Sequence, residues 1–174
     1  MGKKDSLGIM YAIMGVDIEE VEKYISETNG KTVIANINSK NQIVISGFNN
    51  ETSEIANKLS LHGGSKVLQL NVSGAFHSPL MEEAKKNMDF EIENTMFHKP
   101  ECYTIPNITA IATNDIEVIK DSLKRQITSR VNWLETILYI KNMGIENLYE
   151  VGPGEVLKKI NKSITLKPKC YSLL

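Results

Sequence analysis

Cysteine, arginine, aromatic residues, a charge excess and long apolar runs are all scarce in this chain, and each shortage excludes something. Two of the 174 residues are cysteines, Cys102 and Cys170. Two cysteines make neither a disulfide framework nor a zinc-ligand spacing, so a reducing, cytoplasmic setting is the expectation. Arginine stands only at positions 125 and 130, which leaves few candidates for a bidentate guanidinium clamp. Lys and Arg number 20 against 21 Asp and Glu, a net charge of −1. Nucleic-acid and membrane-surface proteins usually carry a basic excess, so neither partner is expected. No apolar run approaches the roughly 18 residues that a membrane span needs. The stretch 7–16 follows Lys3 and Lys4 and could imitate a secretory signal. It contains Gly8 and Gly15, lacks a small-x-small cleavage site and leads straight into a helix start, so it reads as a buried strand.

What is present suits a globular domain. Hydrophobic residues make up 41% and charged residues 24%, and a chain of this length can bury roughly 70% of its unfolded surface. Residues 9–14 read as a short apolar strand. Asp17, with Glu20 three residues on, offers an N-cap for a helix carrying Val21, Tyr24, Ile25 and Thr28 at helical spacing. The β-branched runs 32–37 and 42–46 flank Asn38-Ser39-Lys40-Asn41, a hairpin-like connection. Asn50 is the expected cap of a second helix with Ile55, Leu59 and His62, which Gly63-Gly64 stops. Residues 66–70 form the last strand of this half. The order β-α-β-β-α-β is the ferredoxin-like pattern. An RNA-binding version would need aromatic and basic residues on its central strands. Residues 9–14 offer only Tyr11 and 42–46 offer none, so that version is set aside.

The second half alternates strand and helix. Ser78-Pro79 caps a helix whose apolar stripe is Met81, Ala84, Met88 and Ile92. Pro100 and Pro106 bracket an extended piece at 102–105. Ile116, Ile119, Leu123 and Ile127 mark a helix after Asn114, and another runs over 133–143 to Gly144. A strand at 147–151 turns through Gly152-Pro153-Gly154 into a last helix with Val156, Leu157 and Ile160. Two or three strands are too few for a parallel sheet covered on both faces. This half therefore reads as a piece of a larger α/β sheet domain, with apolar helix faces at 81–88 and 116–127 left exposed.

Among the histidines, His62 reads as a partner for a helix C-terminus, and His98 lies in a polar linker. His77 stands in a loop between a strand end and a helix start, where α/β proteins place reactive side chains. Ser78 beside it is better used as the N-cap. No G-x-S-x-G nucleophile elbow occurs in the 174 residues. Ser39, Ser73 and Ser78 fall in a hairpin, a strand end and a cap. Gly152-Pro153-Gly154 lacks the Lys and the spacing of a P-loop. Asn36 and Asn38, two apart on one strand, suit either turn chemistry or a pocket lining.

Four blocks stand in order: NINSKNQIVISG at 36–47, VSGAFHSPLM at 72–81, RQITSRVNW at 125–133 and YEVGPGEVL at 149–157. A fifth, weaker block is IPNITA at 105–110. Over about 7–164 the chain resembles the C-terminal part of the malonyl-CoA:acyl carrier protein transacylases, whose fold also serves as the acyltransferase domain of polyketide synthases. The resemblance implies an acyltransferase of fatty acid biosynthesis. A ferredoxin-like small subdomain at 7–70 would be joined to the C-terminal part of a large α/β hydrolase-like subdomain at 71–174. It implies that His77 is the catalytic base acting on a serine nucleophile. Gln126 would orient the imidazole through its main-chain carbonyl. Asn36, Asn38 and Gln42 would lie near the cleft, and Phe76 would wall the acyl pocket against a methyl branch. The implied partners are malonyl-CoA and an acyl carrier protein, with no metal and no bound cofactor.

The departures are as informative. The serine elbow, the G-Q-G block and the carboxylate-binding arginine of the family are absent from this sequence. The expectation is that Met1–Ser6 marks a start inside a longer gene, a deliberate truncation or a degraded or frameshifted reading frame, and that the chain alone is inactive. It would bind the missing half or associate with itself. The alternative is a non-catalytic module that binds the carrier protein or another partner. Arg130 stands where the family commonly has proline. The change could be neutral, or its guanidinium could reach the acyl carboxylate.

Overall fold

The computed structural model describes residues 8–28, 30–165 and 167–173. The expected subdomain start at Leu7 and the expected gene-internal start at Met1–Ser6 lie outside the described residues. Strand β1 (Gly8–Met14) leads to helix α1 (Ile18–Ser26), then to β2 (Thr32–Ser39) and β3 (Gln42–Phe48). Helix α2 (Asn49–Ser60) and β4 (Lys66–Gln69) follow. The four strands form one antiparallel sheet in the order β2-β3-β1-β4.

Period-two alternation decides the two faces of this sheet. Ile13, Ile43 and Ile45 are wholly buried on one face with Val21 of α1 and with Ile55 and Leu59 of α2. Met10, Ala12, Ala35 and Val44 form the other face, against which Leu70 and Phe76 pack. A fully buried side chain of this size contributes about 1.5–3 kcal/mol, so the helix-covered face carries most of the stability of this half. Gly47 is needed where the sheet is tightest. A Cβ there would lie 2.3 Å from the Lys31 carbonyl oxygen and 2.7 Å from Thr32 Cα.

The caps differ from the reading of the sequence. Asp17 precedes α1 in extended conformation but makes no side-chain cap bond. Asn50 lies inside α2, because the helix starts at Asn49 and Phe48 takes the cap position. His62 accepts or donates a hydrogen bond with the Tyr24 hydroxyl at 3.1 Å and sits 3.4 Å from Glu20 Oε1. It therefore ties α2 to α1 as well as ending its own helix.

Beyond Leu70 the chain forms a short 3₁₀ turn at Pro79–Met81 and helices α3 (Glu82–Asn94), α4 (Ile116–Gln126) and α5 (Trp133–Asn142). Asp115 caps α4 by accepting from the amides of Glu117 and Val118. Strand β5 (Asn147–Glu150), helix α6 (Val156–Asn161) and strand β6 (Lys169–Ser172) complete the described elements. β5 and β6 pair in parallel. The sequence reading did not anticipate β6, whose four residues show no apolar alternation. No helix among the described residues is long and apolar enough to cross a membrane.

Candidate active site

The loop after β4 is held down onto the sheet by short contacts. A Cβ on Gly8 would lie 2.5 Å from the Ala75 Cβ, so only a glycine in β1 lets this loop approach so closely. The Ser78 hydroxyl is buried, donates to the Ala75 carbonyl at 2.6 Å and accepts from the Leu80 amide at 3.3 Å. Ser78 thus acts as the cap its position implied.

Between these anchors His77 adopts φ 60°, a left-handed conformation that a residue with a side chain rarely takes. Its amide donates to the Ile127 carbonyl at 2.9 Å. Its ring Nδ1 lies 3.0 Å from the Gln126 carbonyl oxygen and 3.1 Å from that of Ser129. Carbonyls can only accept, so Nδ1 carries the proton. In the neutral ring Nε2 then keeps its lone pair. The turn that ends α4 presents these acceptors, fixing the tautomer without placing a carboxylate beside the ring.

His77 lines an open cavity of about 620 Å³, together with Arg125, Thr128, Ser129, Arg130 and Asn132 from the α4–α5 segment. Edge-strand residues Thr32–Ile34 and Glu22 of α1 complete its rim. Both arginines of the chain are therefore in this cavity. Arg125 is paired with Asp121 at 2.9 Å. Arg130 donates through Nε to Asn132 Oδ1 at 2.8 Å, and Asn132 is itself pinned to the carbonyls of Asn107 and Ile108. The block at 105–110 thus serves as the seat of Asn132. A parallel bridge of Val131 onto β2, through Ala35 and Ile37, joins the two halves beside the site.

Other residues singled out from the sequence lie elsewhere. Asn36, Asn38 and Gln42 line a second cavity of about 500 Å³, against Trp133, Val156 and Leu157. Phe76 is half-buried on the Met10, Ala12, Ala35 and Val44 cluster and is not among the residues lining the His77 cavity. Ser39 is buried in β2, and Ser73 is exposed in the loop. Among the described residues, no serine hydroxyl hydrogen-bonds to the imidazole, and no group of three potential metal ligands is found. The second acceptor for His77, the Ser129 carbonyl, went unseen in the sequence because a backbone oxygen has no residue signature.

No protein-family profile matches the chain. Individual proteins do. A malonyl CoA-acyl carrier protein transacylase of Staphylococcus aureus (strain COL) is 31% identical over 167 residues, 92% of this chain and 54% of its own length. The transacylase of Salmonella typhimurium is 32% identical over 162 residues. The chain's relatives are malonyl CoA-acyl carrier protein transacylases, and it fits a C-terminal part of one. The transacylase structure from Coxiella burnetii superposes with a TM-score of 0.90 at 30% identity, over 97% of this chain and 54% of that one. That from Xanthomonas oryzae gives 0.91 at 28% identity, over 98% and 55%. A malonyl-transacylase in complex with a type II polyketide acyl carrier protein gives 0.89 at 29%. The chain spans about half the length of the transacylases it matches.

Proposed function

We propose that this chain is the part of a malonyltransferase that supplies the general base but not the nucleophile. In the whole reaction malonyl passes from CoA to a seryl ester, then to the phosphopantetheine thiol of an acyl carrier protein. The seryl oxygen attacks the thioester carbonyl and loses its proton to His77 Nε2. That proton then goes to the departing CoA thiolate. In the second half the same nitrogen takes the proton of the incoming thiol and returns it to the serine. The observation that carries the reading is the imidazole held by two carbonyls at the edge of an open cavity. This is the base-plus-orienter arrangement of acyl-transfer enzymes.

In this reading Gln126 is a positioning residue acting through its backbone. Asn36, Asn38 and Gln42 belong to the substrate-binding cleft, and Phe76, next to His77 in the chain, limits the acyl group. Residues 7–70 would be a ferredoxin-like subdomain, and 71–174 the C-terminal part of the acyltransferase subdomain. The chemistry asks for no metal or resident cofactor, and the setting is the cytoplasm. A second reading, a non-catalytic module that holds the carrier protein or another partner, is favoured by the missing serine elbow.

Intact mass spectrometry after incubation with malonyl-CoA tests the assignment. The chain alone is expected to gain no stoichiometric malonyl adduct. An adduct on any serine would overturn the reading. Transfer assays then apply when the chain is mixed with the N-terminal half of the Staphylococcus aureus relative. His77→Ala should cut transfer by about 10²–10⁴, and Gln126→Ala should cost far less. Equal, small losses in both would remove His77 from the mechanism.

A further inference from the structure

Charge is segregated along the chain. Residues 156–174 hold five lysines and no acidic residue, so the other 155 residues carry a net −6. Four of these lysines, Lys158, Lys162, Lys167 and Lys169, line a single cavity of about 460 Å³ between the end of α6 and β6, with Asn161 and Tyr171. Two of the ammonium groups are engaged. Lys158 pairs with Glu155 at 2.5 Å, and Lys167 donates to the carbonyls of Lys162 and Ile164 at 3.3 and 2.8 Å. Lys162 and Lys169 have exposed side chains that enter no described ion pair or hydrogen bond.

The second observation is Asn161, which is 1% exposed. Its Oδ1 accepts from Trp133 Nε1 at 2.8 Å, which fixes the orientation of the amide. Its Nδ2 is then left buried without an acceptor. A buried donor in that state costs free energy that an incoming acceptor would recover. Lysines that line one concave site with a buried amide donor match a compact, multiply charged oxyanion better than a flat acidic protein face.

We propose that this cavity binds a phosphate ester. Lys162 and Lys169 neutralise its charge and Asn161 Nδ2 donates to a phosphoryl oxygen. The site is separate from the His77 cavity and needs a phosphate, not a thioester, so it stands or falls apart from the acyl-transfer reading. Nuclear magnetic resonance titrations of the 174-residue chain with inorganic phosphate, CoA and pantetheine test it. Phosphate and CoA should shift the Lys162 and Lys169 side-chain resonances saturably, and pantetheine should not. The double variant Lys162→Gln, Lys169→Gln changes only exposed side chains and should weaken CoA binding about tenfold, with less difference at high salt. Asn161→Asp keeps the acceptor for Trp133 but removes the donor, and should abolish the response. Equal binding of pantetheine, non-saturating shifts, or an unchanged double variant would overturn the proposal. So would an acidic protein that occupies this face and is not displaced by CoA.

Discussion

Residues 8–70 bury Ile13, Ile43, Ile45 and Leu59 completely, while β5, the turn after it and helix α6 leave Tyr149 59%, Val151 75% and Val156 63% exposed. The apolar residues of the two regions are of similar types, so composition does not explain the contrast. Topology does. The four antiparallel strands of the first region make one sheet, and α1 and α2, which lie between its strands in the chain, cover one face. A parallel pair such as β5–β6 has both faces to cover and only short neighbours to cover them. Of the faces expected to be open on α3 and α4, only Met88 and Leu123 are exposed, while Met81, Ile116, Ile119 and Ile127 are half-buried. A closed core forms where the covering helices come from the same stretch of chain as the sheet. A parallel sheet needs elements from further along a chain or from a partner.

That contrast can be broken by paired substitutions. Ile43→Ala, in the closed core, should lower unfolding stability by about 2–5 kcal/mol. Val151→Ala, on the open surface, should stay within about 0.5 kcal/mol. Denaturant titrations of both variants measure the difference, and equal losses would mean that the second region is as tightly packed as the first. Phe76→Ser tests the contact between the regions. Because Phe76 is half-buried on the Met10–Val44 face, the expected loss is about 1–2 kcal/mol. Unchanged stability with a weaker preference for malonyl over methylmalonyl thioesters would assign it instead to the acyl wall.

The smallest effect concerns the α3–α4 contact. Glu93 faces the ammonium groups of Lys124 and Lys120, whose hydrogen bonds hold its carboxyl below the usual carboxylate range. A depressed native pKa stabilises the fold above the unfolded value, and that contribution is lost as pH falls through the native one. Glu93→Gln should therefore flatten the acid side of the stability curve slightly and leave neutral stability almost unchanged, given the exposure of the pair. A large change at neutral pH, followed by thermal melts, would show that these two helices depend on the pair.

Local order was legible wherever period and breakers agree. The alternation of Tyr11, Ile13, Ile43 and Ile45 and the helical spacing of Ile55 and Leu59 determined the first sheet and the face it buries. Ser78-Pro79 determined a helix start, and the loop position of His77 marked it for chemistry. Tertiary structure decided what depends on contacts far apart in sequence. The imidazole tautomer rests on backbone carbonyls 49 and 52 residues away, and backbone oxygens are the same in every residue. β6 exists because β5 offers it hydrogen bonds, not because Lys169–Ser172 alternates. Asn36, Asn38 and Gln42 share a cavity with α6 and not with His77, since the β-strand fixes which way a side chain points but not which distant element meets it.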